Sequence, residues 1–192
     1  EKERGVILQE IAMYEDLPQR HVWEVLAKLL YGDSAAGRSI AGSPKNVKKF
    51  SRQEFLSYHR KHYVPSKTLV IVSGDITPKV VMDEVKKIFG ALPEVKKRGK
   101  ESVKEKQKSP EIVIEKKKSE QTHLILAMRA FSASDKRVPA TSVLMGILGA
   151  GMSSRLYQRL REQMGACYYI NSGSDFHSDH GYAAVWAGVE AK

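Results

Sequence analysis

A basic stretch without a single aromatic residue, Lys96 to Lys118, divides this chain into two patterned segments, and any fold must accommodate that break. Ten basic residues stand there against four acidic ones. The 192-residue chain carries a net charge of +10, so more than half of the excess sits in this stretch. Such charge invites a nucleic-acid reading, but proteins that hold single strands interleave aromatic platforms with basic groups. Lys/Glu-rich, aromatic-poor sequence has the composition of a solvated linker. The expectation is a linker and no nucleic-acid partner.

On either side of it the chain can build a core, since 42% of its residues are apolar. No apolar run approaches the ~20 residues of a membrane-spanning helix, and no signal-peptide pattern opens the sequence. The chain begins inside a charged helical pattern, Glu1-Lys2-Glu3-Arg4, without Met. It therefore reads as an internal piece of a longer, soluble protein, with the cytoplasm as the expected compartment. Cys167 is the one cysteine, which excludes an internal disulfide and any Cys-rich metal site.

Helical spacing of Val6, Ile7, Ile11 and Tyr14 predicts a helix over 1–15. Asp16, with Pro18 in the first turn and Gln19 three residues on, predicts a capped second helix buried through Val22, Leu26, Leu29 and Leu30. Gly32 ends it, and 32–49 reads as loop. Ser51 and Glu54 form a capping-box pattern with Phe50 and Phe55 placed as a hydrophobic staple, and this helix runs to about Tyr63. Thr68–Ser73 is a short continuous apolar run, expected as a buried strand. Thr77-Pro78 opens the next helix, which continues to Gly90.

Beyond the linker, placed at 92–110, the pattern restarts. Strands are expected over 111–115 and 123–129, and a helix over 135–148 that Gly149-Ala150-Gly151 breaks. Ser153 or Ser154 should cap a further helix through Met164, ended by Gly165. Strands over 168–173 and 182–189 follow, joined by a polar turn. Strands and helices mixed on both sides of a linker suggest α/β or α+β layers.

Several pieces, in order, resemble the pitrilysin/insulinase family of inverzincin peptidases. Glu1 to Ile11 is similar to the helix that follows the family's catalytic motif. Tyr14-Glu-Asp-Leu-Pro18 resembles its Tyr-x-Asp-x-Pro turn. Tyr31-Gly-Asp33 with Gly37-Arg38-Ser-Ile-Ala-Gly42 resembles its Gly-Asp…Gly-Arg loop, although Ser34-Ala35-Ala36 replaces the usual His-Pro-Leu. Ser73-Gly74-Asp75 resembles its Gly-Asp after a strand. Leu148 to Leu156, and Leu160-Arg161 through Tyr168, resemble the start of its second domain.

The resemblance implies an α+β fold of mixed sheets with helices packed on one face, in parts of two pseudo-symmetric domains. Residues 1–100 would be the C-terminal half of the first, zinc-bearing domain. Residues 101–192 would be the linker and the N-terminal half of the second, substrate-contacting one. It further implies that the parent protein is a zinc metalloendopeptidase acting on unfolded peptides through zinc-activated water. The alternative is a non-catalytic member serving as partner subunit or scaffold, as core proteins of a respiratory complex do. A peptide substrate, a homodimer or a paired peptidase subunit are the expected partners.

The family's His-x-x-Glu-His motif is absent from this sequence, and the resemblance places it upstream of Glu1. Glu1 then aligns with the third zinc ligand. Its blander reading is a first-turn acid near a helix N-terminus. One carboxylate makes no zinc site, so no specific zinc binding is expected of this piece. Arg161 and Tyr168, seven apart, match an Arg/Tyr pair that contacts substrate and steadies the oxyanion. A guanidinium fork and a phenol O–H are suitable donors. Otherwise Arg161 is a solvated helix residue and Tyr168 a strand core residue. His59 with His62, His177 with His180, and Cys167 are read as a helix surface, an exposed hairpin and a buried thiol.

Overall fold

The computed structural model describes residues 2–93, 99–105 and 107–190. They fall into two compact units, one of 1–47 with 101–192 and one of 48–100.

The larger unit is built on one antiparallel sheet. Its strands are β1 (Gln121–Ala130), β2 (Tyr169–Phe176) and β3 (Gly181–Glu190), in the order β1-β3-β2. β2 and β3 form a hairpin, and β1 pairs with the far side of β3, setting Ile125 opposite Trp186 and Ala127 opposite Ala184. β3 is thus central. It is rich in buried small residues, Ala183, Ala184 and Ala187, because both of its faces are covered.

Helix α1 (Lys2–Asp16) is mostly exposed, and only Ile11 is buried. α2 (Pro18–Tyr31) lays Leu26, Leu30 and Tyr31 against Ile125, Ala127 and Tyr182 on one face of the sheet. Trp23 adds an edge-on contact to Trp186, with centroids 5.0 Å apart. α6 (Val138–Gly149) lies on the other face over β2, where the Ser172 hydroxyl donates to the Met145 carbonyl at 2.5 Å. The class is α+β, with helices on both faces, since α2 from before the linker takes the second one.

Three sequence expectations change here. The N-cap of α2 is Leu17, without a side-chain hydrogen bond, because α1 runs on through Asp16 and the Leu17 carbonyl takes the first amides of α2. The linker is no free tether beyond residue 100. Val103 joins the α2 core cluster and donates its amide to Asp179 at 2.9 Å. Glu105 pairs with Arg129 at 3.1 Å, Glu115 with His21 at 2.7 Å, and Lys117 reaches the Glu15 carbonyl. Residues 111–115 form no strand, and Ile112 and Ile114 are exposed.

Arg129 ties this unit together. It donates to the Leu30 carbonyl at the end of α2 and lies 5.7 Å from the Tyr31 ring centroid. Tyr31 is 8% exposed, and its hydroxyl is buried without a partner. Burial pushes its pKa from 10.0 to about 12, with Arg129 pulling the other way and Tyr182, Glu105 and Asp175 adding to the rise. The folded state therefore holds the proton more tightly than the unfolded chain. This contribution is fully present below about pH 10 and is lost as pH rises toward about 12. Full-length Tyr31→Phe protein is expected to lose about 2–3 kcal/mol less stability than wild type between pH 10 and 12. Urea midpoints across that range check it, and identical alkaline profiles would refute it.

The smaller unit, 48–100, contains α4 (Arg52–His62) and α5 (Pro78–Phe89); α3 (Pro44–Lys49) spans the boundary. The expected capping box is present, with the Ser51 hydroxyl accepting from the Glu54 amide and the Glu54 carboxylate accepting from the Ser51 amide. The Ser51 amide and the Ser51 hydroxyl both donate to the Glu54 carboxylate, which favours its charged form and holds its pKa below the usual value. Phe50 and Phe55 meet at 5.6 Å, as a staple should. Thr68–Ser73 is a correction. It forms no strand, and Leu69 and Ile71 are 82% and 81% exposed. A strand is held by a neighbour's ladder, and no strand is found among the described residues of this unit.

Candidate functional site

The site lies in the larger unit, at the end of the sheet where β1 begins and β3 finishes. α6 ends at Gly149, and Gly151 turns the chain at φ 92. The helical residues begin at Arg155, directly after Ser154 as expected, but Ser154 caps them with its carbonyl, which takes the Gln158 amide, and not with its side chain. Ser154 is buried, and its hydroxyl turns back to donate to the Gly151 carbonyl at 2.7 Å.

The segment that follows, Tyr157–Gln163, is a π-helix rather than an α-helix. The Met164 amide bonds the Arg159 carbonyl, and the Ala166 amide bonds the Leu160 carbonyl. Such wide turns recur at functional sites because they re-aim side chains. Arg161 lies on this turn, exposed, its guanidinium 5.5 Å from the Tyr157 ring centroid. Gly165, at φ 60, ends the segment in the left-handed conformation that glycine adopts freely.

Three residues later the chain meets the sheet. The Tyr168 amide donates to the Gly188 carbonyl at 2.8 Å and sets the register. Side chains then alternate. Tyr169 turns toward β1, where its hydroxyl meets His123 Nδ1 at 2.8 Å, and burial lowers the His123 pKa. Tyr168 is turned outward and is 54% exposed, so it is no core residue.

An open groove of about 730 Å³ occupies this end of the sheet. Thr122, Cys167, Tyr168, Val189 and Glu190 line it, together with Gly165 and Ala166. Burial raises the Cys167 thiol pKa, and the Arg161 charge partly offsets that rise. Tyr168 lines the groove and Arg161 does not; Arg161 lies on the preceding turn, over the Tyr157 ring. Glu190 and Thr122 have no local signal in the sequence; only the β1–β3 pairing, Gln121 with Glu190 and Thr122 with Val189, brings them here.

Glu1 lies outside the described residues. Among the described residues, no group of three or more His, Cys, Asp or Glu side chains is placed to hold a metal ion. His59 stacks on Tyr63 and His62 on Tyr58, at 4.7 and 4.2 Å, on the exposed α4. The hairpin histidines differ from expectation. His177 and His180 stack at 4.5 Å, but His180 is only 6% exposed because Tyr31 packs against it at 4.8 Å. Asp179 holds its Nδ1 at 2.8 Å. Among the described residues, no helix is long and apolar enough to cross a membrane.

An α+β layer with an open groove at the sheet end is the class of structure these elements define. The family model described as the peptidase M16 inactive domain matches residues 49–192, and the chain belongs to the peptidase M16 family. An uncharacterized zinc protease of Streptomyces coelicolor is 35% identical over 97% of this chain and 42% of its own length. The crystal structure of a peptidase M16 inactive domain from Pseudomonas fluorescens superposes with a TM-score of 0.83, at 22% identity, over 99% of this chain and 46% of that one. A chain of Complex III2 from Candida albicans superposes at 0.77, with 15% identity, over 99% of this chain and 47% of that one. The chain spans less than half the length of these relatives. The resemblance to pitrilysin/insulinase peptidases read from the sequence holds, and zinc protease is the class its curated relatives share.

Proposed function

We propose that this chain is the substrate-holding part of a zinc metalloendopeptidase that cleaves unfolded peptides. The observation that carries the reading is Tyr168, turned outward at an open groove, after a π-helical segment on which Arg161 is exposed. Tyr168 is the residue just before β2, and Arg161 stands on the π-helical turn that precedes it in the chain. In this reading Arg161 donates its guanidinium N–H groups to a peptide carbonyl and Tyr168 donates its phenol O–H. Both donors act most strongly on the oxygen that gains charge as the carbonyl is attacked. Glu1 would be one of the residues that hold zinc, with the others elsewhere in the parent protein, and the metal would supply an activated water. Residues 1–100 belong to the zinc-bearing domain and 101–192 to the substrate-contacting one.

The second reading is a non-catalytic partner subunit. The fold shared with the Complex III2 chain and the description of the matched domain as inactive favour it. Purified full-length protein separates the two. A zinc endopeptidase contains about one metal ion per chain, cuts a denatured peptide, stops when chelated and recovers with added zinc. Folded full-length protein that binds no zinc and cuts nothing would establish the partner-subunit reading instead.

A further inference from the structure

Tyr168 stands just outside the sheet, at the free end of an edge strand. β2 begins one residue later and has β3 on one side, with no strand on the other among the described residues. The Tyr168 side chain is exposed, so its aim follows the backbone at this strand end. Strand ends fray unless they are tied down. The Tyr168 amide on the Gly188 carbonyl is one tie. The next residue supplies a second.

His123, Gly188 and Tyr169 form one rung across all three strands, on β1, β3 and β2 in turn. Gly188 has no side chain, and the Tyr169 ring lies over it, where a Cβ would stand 2.3 Å from Tyr169 Cε1. The phenol thereby crosses the central strand and meets His123 Nδ1 at 2.8 Å. The two rings are tilted by only 24°, with centroids 6.0 Å apart. Burial disfavours the charged form of each partner, lowering the His123 pKa and raising that of Tyr169. A partly buried hydrogen bond between neutral groups is costly to leave unmade. This one ties the start of β2 to the opposite edge of the sheet.

We infer that the His123–Tyr169 pair is the pin that aims Tyr168 at the groove. His123 and Tyr169 are positioning residues, and they act on substrate only through Tyr168. The inference rests on the proposed substrate-holding role of Tyr168 and adds what keeps that side chain in place.

Full-length protein tests this with two readouts, one of which needs no activity. The first is the carbon-13 signal of tyrosine labelled at Cζ, with Tyr168 assigned by the line that Tyr168→Phe removes. Wild type is expected to give one narrow Tyr168 line. Tyr169→Phe keeps the ring over Gly188 and removes only the hydroxyl. His123→Leu removes the other partner, two strands away from Tyr168. Each should broaden or split the Tyr168 line. His123→Asn keeps a hydrogen-bonding atom near the Nδ1 position and should restore it. The second readout is kcat on a denatured peptide. Loss of the pin cannot cost more than loss of the Tyr168 hydroxyl itself, so Tyr169→Phe should lower kcat by about threefold to tenfold. In a Tyr168→Phe background the same change should cost roughly twofold or less, because residues that act as a unit are not additive. A pair that served stability alone would lower kcat by the same factor in both backgrounds. The inference is overturned if the Tyr168 line is unchanged in Tyr169→Phe and His123→Leu, or if the two kcat losses multiply. In a protein that cuts nothing, the line alone decides. Failure of the underlying reading looks different: Tyr168→Phe would then leave kcat unchanged while the Tyr168 line still responds to Tyr169→Phe.

Discussion

Arg161→Ala in the full-length protein is expected to lower kcat by about 10²- to 10³-fold on a denatured peptide, the loss that follows removal of one oxyanion donor. The fold should survive it. Arg161 is exposed, and its one visible contact is with the Tyr157 ring, an interaction worth roughly 0.5–1 kcal/mol at such a site. Arg161→Lys keeps the charge but not the planar fork, so it should restore only part of the rate. Tyr168→Phe removes a single hydroxyl from a ring that already stands outward, and a loss of about tenfold is expected from a donor of ordinary strength. Steady-state kinetics with a parallel melting curve check all three variants. A rate within twofold of wild type for Arg161→Ala, with an unchanged melting temperature, would remove Arg161 from the reaction.

How far the sequence could show this site depends on which forces place each residue. The Ser51–Glu54 capping box was legible because its partners are three residues apart and need nothing else. β1 was expected over 123–129, although only its burial alternates, since the exposed row, Leu124, Leu126 and Met128, is apolar rather than polar. Thr68–Ser73 has the composition of a buried strand, but burial needs a neighbour that composition does not name. Tyr168 and Tyr169 are adjacent and chemically alike, and only register decides which one faces out, since a slip of one residue exchanges their faces. The Tyr168 amide on the Gly188 carbonyl makes that choice, from a distance in sequence that local reading does not span. The π-helical turn under Arg161 is likewise invisible, because Tyr157–Gln163 has an ordinary α-helical composition. His180 looked like a hairpin tip residue until Tyr31, from the other side of the linker, covered it.

Gly149→Val is expected to destabilise the full-length protein by about 3 kcal/mol, at the upper end for overpacking. A Cβ at this position would stand 2.7 Å from both the Ser172 amide nitrogen and its hydroxyl oxygen, and 2.9 Å from the Asn171 carbonyl carbon. Two of those three atoms belong to the β2 backbone, which the β3 ladder holds in place. A rotamer change in Ser172 relieves only the hydroxyl, so α6 must lift from β2, and lifting it stretches the Ser172–Met145 hydrogen bond. β2 begins at the residue after Tyr168, so activity should fall along with stability. Gly149→Ala should cost less, about 1–2 kcal/mol, because the same atoms meet one methyl group. Gly146→Ala in the same helix meets nothing within 4 Å. It should be neutral or stabilising by up to about 1 kcal/mol, the helix-propensity gain of alanine over glycine. Urea denaturation of the three variants separates close approach from propensity. Opposite signs at 146 and 149 follow from the contact with β2, whereas losses of equal size at both positions would mean that the helix, and not its fit to the strand, is what glycine serves.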